Sequence, residues 1–424
     1  MSVVQSSPGA AQEPSASAQT GPQTPRKVLP AMASFGLAAA LAACATAPSG
    51  PGVSTRPPPP PAPSGAQVQT REGLTPPFMA GRDITRVGLL LPFSLRPQDA
   101  AALYNAAELA LFDHASPNML LIPRDAGSNE AEAAAAARAL TTDGADIIIG
   151  PVLREGVQGA AQAVRRNNIP VIGFSSDRTV AGAGVYLLSF QLEDEISRLV
   201  SYAASRNLRT IALLAPSNEY GRRVEQALRA QAAASGVRVS AVQLYERNEQ
   251  AAGAAAAQLA ARLRVAPAQG ILIADSGGPL RAIGPALIGA GVNTREVKLL
   301  GTSAWAGDAE REPTFAGGWY VSPDPNARVD FERRYQTAFS REPTRLASLA
   351  YDAVALAAQL SNERGDDGIT RAAIENREGF LGSDGLFRFR PDGAIERGLA
   401  ILEVRAGNST PVDNAPRRFP GGAS

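Results

Sequence analysis

Between Ile84 and Gly301 the chain repeatedly sets a short, largely apolar run before a helix-length segment. Val87-Gly88-Leu89-Leu90-Leu91, stopped by Pro92, precedes a helix over Ala100–Asp113 whose Leu103, Ala106, Ala107, Ala110 and Leu111 share one face. Met119–Ile122 precedes Ala131–Leu140, Asp146–Gly150 precedes Val157–Val164, and Val171–Phe174 follows. A second series pairs Ile211–Ala215 with Tyr220–Ala233, Val237–Leu244 with Ala254–Leu263, and Ile271–Ala274 with Leu280–Ile288, before Lys298–Gly301. Strands apolar throughout are strands covered on both faces. The alternation therefore specifies parallel sheets flanked by helices, a doubly wound α/β fold.

One such sheet is too small for the length. Roughly 320 residues between Ile84 and Ala406 divide into two domains on size alone, and a break falls near Phe190-Gln191-Leu192. Beyond it the tail changes character. Helices are expected near Val329–Phe339 and Leu346–Leu360, then a β-hairpin made of Gly385–Phe389 and Leu399–Val404.

The residues before Ile84 read differently. Arg26 and Lys27, an Ala/Leu-rich run from Val28 to Ala40, and Leu41-Ala42-Ala43-Cys44 have the form of a secretory signal, here with a long polar leader. The Leu-Ala-Ala-Cys ending resembles a bacterial lipobox, which makes Cys44 the expected lipidation site and residues 1–43 the segment removed. Residues 44–83, with five consecutive prolines at Pro57–Pro61, cannot bury a core and are expected to be an extended tether.

Composition removes several chemistries. Cys44 is the only cysteine and His114 the only histidine. The domain beyond the signal therefore has no internal disulfide, no thiolate metal site and no histidine cluster. His114 ends the first helix, where a cation suits the helix dipole. The formal net charge is +1, from 41 basic and 40 acidic residues, with no basic stripe to suit nucleic acid. No cofactor, metal or catalytic residue is expected.

The order of elements resembles type I periplasmic binding proteins, the leucine-binding protein family. The resemblance rests on Val87–Leu91 with Pro92, Asn105–Leu111, Asp146–Pro151, Ile169–Ser175, Ile211–Pro216, Tyr220-Gly221, Tyr351–Ala357 and Gly382–Phe389 with Pro391-Asp392-Gly393. It implies two α/β lobes joined by three crossings, with a ligand cleft between them. Lobe one is expected at 84–191 and 325–378, lobe two at 192–324 and 379–406, and a flexible tail at 407–424. In open parallel sheets the crevice lies beyond the carboxyl ends of the strands, which points to Ser94, Leu153, Arg154, Ser175, Ser176, Asp177, Tyr220, Asp275, Ser276 and Trp305. Ser175 and Ser176 could take a ligand carboxylate, Asp275 an ammonium, and Tyr220 and Trp305 could wall the side chain. Equally, Ser175-Ser176-Asp177 and Asp275-Ser276-Gly277-Gly278-Pro279 could be no more than capped turns. Val152-Leu153-Arg154-Glu155 stands where amino-acid binders of the family carry small hydroxyl residues.

Leu103–Phe112, Pro123–Gly127 and Ile172–Asp177 are similar to a narrower group, the penicillin-binding-protein activator lipoproteins. That resemblance, with Ala45 rather than aspartate after Cys44, implies a non-catalytic lipoprotein on the periplasmic side of the outer membrane that activates a peptidoglycan synthase. The alternative is the solute receptor of an amino-acid ABC transporter, with a permease as partner.

Overall fold

The computed structural model describes residues 75–114, 117–364 and 369–419, all within one compact unit, Gln67–Ser424. Cys44, the signal and most of the expected tether lie outside them. The fold begins before Ile84: Met79 is buried, and Thr75 Oγ1 accepts a hydrogen bond from Arg86 at 2.8 Å.

Lobe one is built on β1 (Thr85–Leu91), β2 (Met119–Asp125), β3 (Ile147–Ile149), β4 (Val171–Gly173) and β5 (Val185–Leu187), a parallel sheet in the order β2-β1-β3-β4-β5. Strand alternation divides its apolar residues between two faces. Leu89, Leu91, Ile147 and Ile149 join α1 (Pro97–Asp113) on one side; Leu90 and Ile148 join α2 (Glu130–Thr142) and α3 (Arg154–Val164) on the other.

The chain crosses to lobe two at Ser189–Gln191 and enters α4 (Leu192–Ser205). The parallel strands β6 (Thr210–Pro216), β7 (Arg238–Tyr245), β8 (Gly270–Ile273), β9 (Lys298–Gly301) and β10 (Trp319–Pro323) follow, interleaved with α5 (Glu219–Ser235), α6 (Glu249–Leu263) and α7 (Gly277–Gly289). Ile271 and Ile273 face one core and Leu272 the other. The helices start where the sequence offers caps: Asn218 and Asn248 accept from the amides of Gly221 and Ala251.

A second crossing at Asp324 returns the chain to lobe one for α8 (Pro325–Phe339), α9 (Ala347–Arg364), α10 (Arg371–Ile374) and a small antiparallel sheet. That sheet is β11 (Phe380–Gly382), β12 (Gly385–Phe389) and β13 (Ile395–Arg397), and Phe380, Phe387, Phe389 and Ile395 enter the lobe-one core. The third crossing, at Gly398, leads to β14 (Leu399–Arg405) and β15 (Asn408–Asp413), antiparallel strands that complete the order β15-β14-β10-β9-β8-β6-β7.

The structure corrects three expectations about the end of the chain. Residues 379–397 pack with lobe one, so the third crossing is at Gly398 rather than after 378. The expected hairpin does not form, because Pro391-Asp392-Gly393 turns β12 onto β13 instead of onto β14. Residues 408–413 are an edge strand, not part of a flexible tail. Their polar composition hid them, and Pro411 is tolerated because the strand has a free edge.

Candidate functional site

Two adjoining cavities, about 710 and 470 Å³, open between the lobes and share Ser176, Phe190 and Arg223 on their walls. The turns after β3, β4, β6, β8 and β9 reach them, as do the first crossing and the loop between α8 and α9. Two glycines bring backbone close enough to shape these turns. Gly150 has φ +92°, and a Cβ there would lie 2.1 Å from the Leu90 carbonyl oxygen; one on Gly221 would lie 1.8 Å from that of Pro216.

The outer cavity is walled on lobe one by Leu153, Arg154, Ser175, Ser176 and Asp177. Their polar groups already bond to one another. Arg154 Nε meets Asp177 Oδ2 at 2.8 Å, and Asp177 Oδ1 accepts from Thr179 N and Oγ1 at 2.9 and 2.7 Å. The Thr179 hydroxyl and amide, with Arg154, hold the Asp177 carboxyl below its ordinary range. Ser175 is buried and accepts from Asp177 N at 3.2 Å. The capped-turn reading thus describes Ser175 and Asp177, while Ser176 stays exposed on both cavities. Ser94 is on neither wall; its amide donates to Asp125 Oδ1 at 3.3 Å.

On lobe two, Tyr220, Asp275 and Ser276 line the inner cavity. Tyr220 Oη is 2.9 Å from Thr302 Oγ1, and burial pushes the phenol up to about 12. Asp275 is 3% exposed, and both of its oxygens accept hydrogen bonds from the protein. Its Oδ2 accepts from Tyr245 Oη at 2.6 Å, and its Oδ1 from Arg247 Nε and Ser276 N at 2.9 and 2.8 Å. The ammonium receptor that the sequence suggested at Asp275 is therefore already satisfied by protein donors. Trp305 is corrected outright. Its ring is fully buried, its Nε1 donates to the Ile273 carbonyl at 2.9 Å, and it packs edge-on against Phe315 at 4.9 Å. Side-chain-free Gly301 leaves the space it fills.

Sequence reasoning missed Phe190, Glu193, Glu195, Arg223, Arg247 and Arg345, which also line the cleft, whereas Ser303, just beyond the end of β9, stands where the strand-end rule places it. Glu195, at the start of α4, is buried and accepts from Ser303 N and Oγ at 3.0 and 2.7 Å; burial raises its carboxyl despite those bonds. Arg345 reaches from lobe one to donate to Ser303 Oγ at 3.1 Å, and its guanidinium lies 4.5 Å from the Phe190 ring centre. Arg223 is clamped on Glu193 at 2.9 Å. The only signal for α4 was the Leu192, Ile196, Leu199, Val200, Ala203 spacing; nothing local marked the arginines.

The crossings enclose a buried charge cluster. Arg397 Nε donates to the Ser189 carbonyl at 3.1 Å, Arg328 Nη1 meets Asp384 Oδ1 at 2.9 Å, and Asp352 Oδ1 accepts from Ser383 N at 2.6 Å. Burial, then the neighbouring Asp384, pushes the Asp352 carboxyl up. Asp194, 3.7 Å from Arg178 across the lobes, is pushed up to about 6, chiefly by burial. Among the described residues no cluster of three or more His, Cys, Asp or Glu could hold a metal, and no helix is long and apolar enough to cross a membrane.

Comparison with known proteins agrees with this architecture. The sequence pattern of the periplasmic binding protein family matches residues 85–409. No curated protein matches. Among solved structures, one provisionally described as a branched-chain amino acid ABC transporter from Rhodospirillum rubrum has a TM-score of 0.69 at 18% identity, covering 78% of this chain and 100% of its own. A solute binding protein of an ABC transporter from R. palustris, in complex with benzoate, has a TM-score of 0.55 at 18% identity, with 79% and 97% covered. An ABC transporter substrate-binding protein from Desulfitobacterium hafniense, in complex with Leu, has a TM-score of 0.57 at 18% identity, with 77% and 99% covered. At these identities the likeness is one of fold.

Proposed function

The chain belongs to the periplasmic binding protein family, and from that premise we propose that it is a non-catalytic solute receptor delivering a small ligand to an ABC permease. The observation that carries this reading is the pair of adjoining cavities between two α/β lobes, with volumes typical of small-molecule sites. Similar structures bind benzoate and leucine in their complexes, which supports a small organic ligand here. The lipobox-like Leu41–Cys44 adds a lipid anchor to the proposal, and the prolines of 57–61 a tether long enough to serve a membrane partner.

The second reading, activation of a peptidoglycan synthase from the outer membrane, keeps one specific support. Leu41–Cys44 is followed by Ala45 rather than aspartate, which suits the outer membrane, far from an inner-membrane permease. The comparisons with transporter proteins favour the receptor.

Photocrosslinking in cells tests the choice. A crosslinking residue at Leu95 or Glu219, exposed on the two lobes, should capture an ABC permease. Capture of a peptidoglycan synthase and no permease would overturn the receptor reading.

A further inference from the structure

The inner cavity has an unusual electrostatic balance. Its two carboxylates are committed: Asp275 takes Tyr245, Arg247 and the Ser276 amide, and Glu195 is sealed by Ser303. Two of its three arginines are committed as well, Arg247 to Asp275 and Arg223 to Glu193. Arg345 is the exception. Among the described residues it meets no carboxylate at ion-pair distance; it donates to the Ser303 hydroxyl and stacks on Phe190. The cavity therefore offers a guanidinium that has donors to spare and no carboxylate partner, while each oxygen of both carboxylates already accepts from a protein donor.

Building on the receptor reading, we propose that the inner cleft takes an organic anion that carries no ammonium group, with its carboxylate seated on Arg345. A carboxylate at that guanidinium forms charge-assisted bonds, and the exposed Ser176 stands on the same cavity. The body of the ligand lies against Phe190, Leu192 and Tyr220. An α-ammonium in the same space would find Asp275 already bonded and a guanidinium of like charge close by. Arg345 belongs to lobe one while Ser303 and Tyr220 belong to lobe two, so an anion on Arg345 would also draw the lobes together.

Calorimetric titration of the full chain with matched ligands tests the assignment. 4-Methylpentanoate, 4-methylpentanamide and leucine share a carbon skeleton and differ only in the charged groups; benzoate and benzamide form a second pair. Each acid should bind at least about 10-fold more tightly than its amide, and 4-methylpentanoate at least about 10-fold more tightly than leucine, a difference of about 1.4 kcal/mol in each case. Arg345→Gln should erase the preference for acid over amide, and Arg345→Lys should keep part of it, with melting temperatures close to the parent because the side chain is exposed. If an amide or leucine binds as well as the acid, or if Arg345→Gln leaves acid binding unchanged, the assignment falls and the receptor reading stands. If none of the five compounds binds the folded protein, the assignment falls, and capture of a permease still decides the receptor reading.

Discussion

Arg247 Nε donates to Asp275 Oδ1 at 2.9 Å, so that a half-exposed guanidinium closes off a carboxylate whose side chain is 2% exposed. With the Tyr245 hydroxyl and the Ser276 amide, this contact leaves both oxygens of Asp275 bonded to protein donors and balances its charge. It also makes a prediction. Arg247→Ala should cost about 1–3 kcal/mol of stability, since it leaves a buried carboxylate short of a donor. It should also raise affinity for leucine relative to 4-methylpentanoate, because Asp275 would regain a free acceptor. Denaturant unfolding and calorimetry read the two effects separately.

Trp305 and Tyr220 should part company on mutation. Trp305→Ala removes a fully buried indole and its hydrogen bond to Ile273, and should destabilise by about 3–5 kcal/mol. Trp305→Phe should lower the melting temperature with no change in ligand affinity. Tyr220→Ala, on the cavity wall, should weaken binding at a smaller cost in stability.

Stability should fall as pH rises between about 4 and 7. Asp194 is held up to about 6 and Asp352 is also raised. Over that interval the folded state binds protons that the unfolded chain, with ordinary carboxyls near 3.9, has released. Their contribution is fully present at low pH and is lost as pH passes through the raised values. Asp125 and Asp177, whose carboxyls are lowered, act the other way only at more acidic pH. Melting temperatures across this range check the slope, and Asp352→Asn should flatten it by leaving one permanently neutral group beside Asp384 and Arg397.

Truncation after Ala406 should destabilise lobe two. It removes β15, the Arg198–Asp413 ion pair at 2.8 Å and the Ser409 bond to Glu310 at 2.7 Å. A flexible tail could be removed without a change in the urea midpoint; an edge strand could not.

Much of the fold was legible because it is written in local periodicity. The apolar runs of β1, β6 and β8 announce themselves, and Asn218 and Asn248 mark the helix starts that follow β6 and β7. What periodicity cannot convey is partnership. The pairing of β12 with β13 depended on the turn at Pro391-Asp392-Gly393, and β15 is held by a neighbour rather than by its own polar sequence. The site divides in the same way. Ser176, Tyr220 and Asp275 were found because they follow strands, whereas Arg345 and Phe190 come together from positions 155 residues apart in the chain. Trp305 was misplaced because the turn after β9 carries its ring into the lobe-two core against Phe315 instead of onto the cavity wall.

The most direct test of the receptor is a thermal-unfolding screen of the full chain against carboxylates, their amides, amino acids and muropeptides. A ligand present at a thousand times its dissociation constant stabilises the folded state by about 4 kcal/mol, which for a protein of this size is on the order of 10 °C. The account predicts a shift of that size with at least one simple organic carboxylate and a much smaller one with its amide. A folded protein whose melting temperature no small solute moves, or moves only with a muropeptide, would contradict it.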